Sequence, residues 1–225
     1  MDIIPFFDLP LAIENLPFIL TGLPMTIYVS FFSMAVGMVL GLFLALARRS
    51  ESRMLRYPAR VYISFMRGTP ILVLLFIIYF GLPYANIQFQ PLQAAVIGFG
   101  INSAAYIAEV NRSALSSVEK GQWEASYSLG LSYAKALKGV ILPQAARIAI
   151  PPLTNIFLDL VKASSLAAMI TVPELLQRTQ IAGGRAFDTL TMYVLVAFIY
   201  WPLCIVISFV QEQFENYFNR FVEKG

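Results

Sequence analysis

Two stretches of the chain, residues 15–47 and 68–108, contain no charged side chain. A helix rising 1.5 Å per residue needs roughly 20 mostly apolar residues to cross the hydrocarbon core of a bilayer. The first stretch has room for one crossing, and the second is too long for one. Composition points the same way. Of 225 residues, 58% are hydrophobic and 13% charged, with a mean hydropathy of +0.70; soluble domains carry about 25% charged residues. Disorder and an ordinary soluble enzyme are excluded, and an all-α polytopic membrane helix bundle is expected. There is no histidine, which removes His-based acid–base catalysis, Ser-His triads and His-ligated metals. The single cysteine, Cys204, can form neither an intramolecular disulfide nor a cysteine metal cluster.

Five spans are predicted, in one transmembrane domain covering residues 1–225. Pro24 suits a first helical turn, so span 1 covers about 24–46. Gly81, Pro83, Asn86 and Pro91 divide the second window, giving spans at about 62–82 and 92–110. Two further spans follow at about 148–172 and 189–211. Lys and Arg are distributed unevenly between the loops. Arg48, Arg49, Arg53, Arg56 and Arg60 share a side with Arg112, Lys120, Lys135, Lys138 and Arg147, and with the tail residues Arg220 and Lys224. The opposite side has only Arg178 and Arg185. The positive-inside rule then places the 112–147 segment and the C-terminus in the cytoplasm and the N-terminus outside. Asp2, Asp8 and Glu14 precede span 1 without any basic residue. That is unlike a signal peptide, so span 1 is expected to be retained. An odd number of spans also argues against an inverted-repeat transporter.

The segment 113–146 is polar, charged and helix-prone. Ser116-x-x-Glu119 fits a capping box. A short helix at 122–129 would end at Gly130, and a second at about 132–138 would be capped by Ser132. Pro143 would close the segment before span 4. Trp123, Tyr127, Leu129 and Tyr133 would be presented outward. A loop that only joins two spans has no need of this length or aromatic content, and exposed apolar clusters mark docking surfaces.

Glu124-Ala125-Ser126, three residues, Gly130, nine residues, then Val140-x-Leu142-Pro143 resembles the EAA loop of ABC importer permeases. Ser126 stands for an alanine and Val140 for an isoleucine. The resemblance covers nearly the whole chain and is nearest to permeases for polar amino acids (cystine, basic amino acids, glutamine). Further matching runs are Arg67-Gly68-Thr69-Pro70, Asn102-Ser103-Ala104-Ala105-Tyr106-x-x-Glu109, Lys120-Gly121-Gln122-Trp123-Glu124-Ala125 and Lys162-x-Ser164-Ser165-Leu166. Tyr200-Trp201 and Phe214-Glu215-Asn216 fit as well. The resemblance implies the type I importer permease fold and a bacterial inner-membrane location. The implied partners are a second permease subunit (a homodimer is favoured), a cytoplasmic ABC ATPase dimer that binds ATP and Mg, and an extracytoplasmic amino-acid-binding protein. It implies that Trp123, Glu124, Ala125, Gly130, Leu142 and Pro143 couple to the ATPase, with Glu124 ordering the loop. The chain itself has no Gly-x4-Gly-Lys-Ser/Thr phosphate loop. No catalytic role, cofactor, metal or nucleic-acid partner is expected of it.

Ionisable groups inside a span are costly and usually functional. Asp159 and Lys162 lie three apart on one helix face. They form either a structural pair or a zwitterion site, with Lys162 for an α-carboxylate and Asp159 for an α-ammonium. Related permeases often carry an acidic residue directly after this lysine; here it is Ala163. The candidate substrate set is Thr69, Asn102, Tyr106, Asp159, Lys162 and Ser164. Asn102 would bond across helices or to substrate, and Pro70 would kink span 2. Arg67 reads as an interface anchor, and Glu109 as an ion-pair partner that orders the loop. Gly37-x3-Gly41 permits close helix approach within or between subunits. The leading function is the permease subunit of an ATP-driven amino-acid importer, with L-cystine or a related amino acid as the best guess. The rival is an ATP-independent transporter or channel subunit. A membrane-embedded enzyme is a distant third.

Overall fold

The computed structural model describes residues 7–219, and within them every regular element is helical. In chain order these are α1 (Leu9–Leu20), α2 (Leu23–Arg49), α3 (Arg53–Gly68), α4 (Ile71–Phe76), α5 (Pro91–Ser117), α6 (Lys120–Ser128), α7 (Tyr133–Ala136), α8 (Leu142–Ala163), α9 (Leu175–Ala186) and α10 (Thr189–Asn219). Three of them, α2, α5 and α10, are long and apolar enough to cross a membrane. So is the continuous run Tyr133–Ile170 that contains α8. A fifth candidate exists only if α3 and the run Ile71–Ala85 count as one span, bent by 106°.

Small residues hold α2 against α5. A Cβ on Gly41 would lie 2.7 Å from Ile107 Cγ2 and 3.0 Å from the Ala104 carbonyl, and one on Gly37 would lie 2.2 Å from Ser103 Oγ. Gly100 makes the reciprocal approach to Val36. Between helices in lipid no hydrophobic force operates, so close backbone packing of this kind carries the association. The Gly37-x3-Gly41 motif is thus used within the chain. Around this pair, Val29, Leu75, Phe99, Ile170 and Val172 form the main core.

The second expected span is not one helix. Thr69 is extended (φ −102°, ψ 130°), as the residue before a proline prefers. Pro70 then starts α4 in a new direction. After α4 the chain passes through a π-helical turn (Ile77–Gly81) and a 3-10 turn (Leu82–Ala85) to Asn86, whose φ is 60°. The break strands the last carbonyls of α3, and Asn102 Nδ2 donates to one of them, Met66 O, at 2.9 Å. Tyr62 OH donates to Ile101 O at 2.7 Å. The kink expected at Pro70 is therefore a full corner, stitched to the middle of α5.

Three other local expectations change. Helix α5 runs on to Ser117, and Ser116 Oγ donates back to Arg112 O at 2.9 Å, so no capping box forms with Glu119. Ser132 precedes α7 without a side-chain cap. Pro143 does not close the segment: it sits in the first turn of α8, where its missing N–H costs nothing, and a π-helical turn (Leu137–Ile141) joins α7 to α8 without a break. Helix α8 then tightens into a 3-10 turn (Ser164–Ile170) that ends at Thr171, φ 67°.

Helices α1 and α9 were not expected. Asp8 caps α1 by accepting from Leu11 N at 3.0 Å, and its own N–H donates to Thr191 Oγ1 at 3.1 Å. Ile19, Leu175, Ala182 and Met192 bury themselves together, packing α1, α9 and α10 into one unit. Fully buried Glu174 ties that unit together. It caps α9 by accepting from Gln177 N at 2.8 Å, and it accepts from Tyr200 OH at 2.8 Å. Burial pushes its carboxyl above the usual range, against the pull of those bonds.

Candidate functional site

Two places concentrate chemistry. The first is a cavity of about 270 Å³ where α4, α5 and α8 meet. Its apolar wall is Ile71, Phe99, Ile156, Leu160 and Ala163, and its polar groups are Asn102, Ser103, Tyr106 and Asp159. Each polar group is held in place. Asn102 is fixed by its bond to Met66 O, and Ser103 Oγ donates to Gly100 O at 3.0 Å. The Arg67 guanidinium lies 5.6 Å from the centroid of the Tyr106 ring, within cation–π range. Asp159 Oδ1 accepts from Lys162 Nζ at 2.8 Å.

The structure thus brings Asn102, Tyr106 and Asp159 into one cavity, with Lys162 attached through its ion pair. It does not bring in Ser164, which is fully buried and donates to Val161 O at 2.8 Å. Nor does Thr69 line the cavity; it is consumed by the α3–α4 corner. Arg67 is not a simple interface anchor, because it stacks on a cavity residue. Its spacing of three from Pro70 was the available signal, since the proline corner turns the end of α3 toward α5.

The Asp159–Lys162 pair is notable for its exposure, with side chains 73% and 55% accessible. An exposed ion pair adds at most about 1 kcal/mol of stability. Intramembrane charges nearly always face an internal or water-filled space. The face of α8 that carries this pair is therefore unsuited to lipid tails.

The second place is the outer surface of α6 and α7. Trp123 is half-buried, stacked on Tyr133 (5.5 Å, 17°) and tilted against Tyr127 (6.0 Å). Together with Arg49, Lys120 and Glu124 these rings line a shallow depression of about 330 Å³. Gly130 turns the chain between α6 and α7 at φ 74° with nothing within 4 Å of a would-be Cβ; the requirement there is conformational, not spatial. Leu131 N donates to Ser126 O at 3.1 Å and Gly130 N to Tyr127 O at 2.9 Å. Ala125, Leu142 and Pro143 are exposed.

Glu124 does not order this loop. Among the described residues its carboxylate has no hydrogen-bond or ion-pair partner, and it faces the depression. The ordering falls to buried Ser126, whose Oγ donates to Gln122 O at 2.7 Å, and to Gln144, which donates to Gln122 Oε1 at 3.0 Å. Beneath them Trp123 packs with Val118, Ile141 and Ala145. Sequence inspection missed both Ser126 and Gln144. A small hydroxyl where the resembling loops have alanine was the one visible signal. Glu109 pairs with Arg48 and accepts from Arg112 Nε at 3.0 Å. Its ion pairs lock α2 to α5 and do not reach α6.

A helical membrane bundle with a polar internal cavity and an ordered aromatic hairpin outside it has the architecture of a solute permease. The chain belongs to the family described as the binding-protein-dependent transport system inner membrane component, whose pattern matches residues 37–219. It is 59% identical over 216 residues to a probable amino-acid ABC transporter permease protein, YckA, of Bacillus subtilis (strain 168), covering 96% of each chain. It is 46% identical over 209 residues to the L-cystine transport system permease protein TcyB of the same organism, covering 92% of this chain and 89% of that one. The fold matches the crystal structure of an amino acid ABC transporter with histidines, at TM-score 0.89 and 33% identity, over 93% of this chain and 98% of that one. It also matches an inward-facing structure of the MetNI methionine ABC transporter, at TM-score 0.68 and 21% identity over 93% and 97% of the two chains, which speaks to the fold alone. The protein is an amino-acid ABC transporter permease subunit with the type I importer fold. It is not an enzyme, as ATP hydrolysis in this family resides in a separate subunit.

Proposed function

We propose that the chain carries L-cystine or a related polar amino acid across the bacterial inner membrane, through the cavity between α4, α5 and α8. The observation that carries this reading is the exposed Asp159–Lys162 pair at the cavity. An incoming zwitterion exchanges one ion pair for two, with its α-carboxylate on Lys162 and its α-ammonium on Asp159. Charge is balanced before and after binding, so neither state leaves an isolated charge at low dielectric. Tyr106, Asn102 and Arg67 give the side chain of the substrate polar contacts. Cystine is favoured over other polar amino acids by the 46% identity to a permease named for L-cystine transport.

The basic end, with Arg48, Arg49, Arg53, Arg56 and Arg60, faces the cytoplasm in this reading. The hairpin of α6 and α7 is the coupling element. Trp123, Tyr127 and Tyr133 present rigid aromatic area, while Glu124, Lys120 and Arg49 give charged specificity. Trp, Tyr and Arg are the residue types enriched at interface hot spots. An ABC ATPase dimer with ATP and Mg drives the cycle, a second copy of the chain completes the pore, and an extracytoplasmic binding protein delivers substrate.

Uptake into proteoliposomes tests the substrate. Radiolabelled cystine, arginine and glutamine would be supplied with the cognate binding protein. Cystine uptake at least about tenfold above the others, and reduced about tenfold or more by Lys162→Gln, is the expected result for a lost charge-assisted contact. Unchanged uptake in Lys162→Gln would remove the zwitterion site.

A further inference from the structure

The first two turns of α3 carry three arginines that no carboxylate among the described residues neutralises. Arg53, Arg56 and Arg60 follow one another at spacings of three and four, so they form one stripe along the helix. None has a carboxylate within 4.0 Å among the described residues, whereas Arg48 at the end of α2 and Arg112 in α5 both pair with Glu109. Arg56 Nε is buried and has no hydrogen-bond partner. Beside the arginine stripe runs an apolar one, Met54, Tyr57, Val61 and Phe65, all exposed, at 87%, 53%, 67% and 55%. The third face, Ala59, Ile63 and Met66, is buried against the bundle. Helix α3 therefore has one face for the protein, one for hydrocarbon and one for anions.

Its position fixes what those anions are. The far end of α3 is bonded at Tyr62 and Met66 to Ile101 and Asn102, at mid-length of the membrane helix α5. Its near end follows the charged end of α2. The helix rises from the bilayer surface toward the middle, and its first two turns lie at headgroup depth. An aligned row of guanidinium groups next to exposed apolar side chains matches a phosphodiester next to acyl chains. The residues are all arginine, with no lysine between positions 48 and 60. Arginine presents a planar fork that grips two phosphate oxygens, where lysine offers a point charge.

We infer that Arg53, Arg56 and Arg60 form a binding site for anionic phospholipid headgroups, with Met54, Tyr57, Val61 and Phe65 covering the attached acyl chains. The site steadies α3, and through the Met66–Asn102 bond it steadies the wall of the transport cavity. This rests on the placement of the chain in a membrane and not on the substrate or the ATPase.

The test uses the full chain in vesicles of phosphatidylcholine with trace spin-labelled phosphatidylglycerol or spin-labelled phosphatidylcholine. Electron paramagnetic resonance reads the fraction of each label held at the protein. A preference for phosphatidylglycerol of about fivefold or more at low salt is expected, because each surface arginine contributes a factor of that order. The triple change Arg53→Gln, Arg56→Gln, Arg60→Gln should remove most of that preference. The triple Arg→Lys change should retain an intermediate one, and Lys135→Gln with Lys138→Gln should leave it as in the wild type. If the triple glutamine variant fails to insert, the three single Arg→Gln variants carry the test, each expected to lower the preference part-way. An undiminished preference in the glutamine variants would overturn the site. So would an equal loss in the Lys135/Lys138 variant, which would reduce the effect to net charge. Unchanged lipid preference with lost co-purification of the ATPase would assign the stripe to protein docking and overturn it as well.

Discussion

Lys162 and Gly130 differ in what a substitution there disturbs. Lys162 is limited by charge. Its anionic contact among the described residues, Asp159, is itself exposed at the cavity, so removing the cation leaves a carboxylate without its partner. Asp159→Asn, Lys162→Gln and the two together should each change stability by no more than about 1 kcal/mol, because the pair is exposed. Thermal unfolding in detergent of the four proteins of that cycle checks this. Gly130 is limited by backbone. At φ 74° a residue with a Cβ costs about 1–2 kcal/mol, and Gly130→Ala has no steric contact to blame for the loss. Substrate-stimulated ATPase of the assembled transporter should fall in Gly130→Ala while α2 and α5, remote from the turn, keep their packing. Both residues were legible in the sequence, Lys162 because a cation inside an apolar run is conspicuous and Gly130 because of its spacing from Glu124. Gln144 was not, because its hydrogen bond from the start of α8 to Gln122 of α6 depends on a fold-back that neither helix announces; Ser126 showed only as a hydroxyl where the resembling loops have alanine.

Among the elements, the α2–α5 pair and the α9–α10 corner make separable predictions. A Cβ on Gly41 meets Ile107 Cβ at 2.9 Å and a backbone carbonyl at 3.0 Å, atoms that cannot rotate away. Gly41→Ala should cost about 1–3 kcal/mol, seen as a lowered Tm in detergent. At the other end of the bundle, Tyr200→Phe removes the O–H that Glu174 accepts and should cost about 1–3 kcal/mol, the penalty for a buried acceptor left short of a donor. The bulk of the elements could be read from apolar run length, because hydrocarbon thickness dictates helix length. What could not be read was the course of α3 and α4. The Gly68–Pro70 corner signalled a kink, but the angle of 106° is set by where α5 offers Asn102 to the stranded Met66 carbonyl. Helices α1 and α9 were hidden for a related reason. At 12 residues each, both are too short to span, and their apolar faces are defined by packing on each other, on α10 and on the start of α2.

For the whole molecule, the two surfaces lie on one mechanical path. The cavity is walled by α8 on one side, and α8 is continuous through the π-helical turn with α7 of the outer hairpin. A displacement of the hairpin therefore acts along one helical run, through the π-helical turn and the Pro151-Pro152 pair, on the helix that carries Asp159 and Lys162. We propose that this path couples a separate ATPase to amino-acid movement. The most direct measurement is ATP hydrolysis by the transporter in liposomes, with the chain co-expressed with the ABC ATPase encoded beside it and its binding protein added with a panel of amino acids. Hydrolysis stimulated by one loaded binding protein, and lost when Gly130→Asp distorts the hairpin, is the result predicted here. The contradictory result is a chain that associates with no ATPase yet still moves amino acids by itself along an ion gradient.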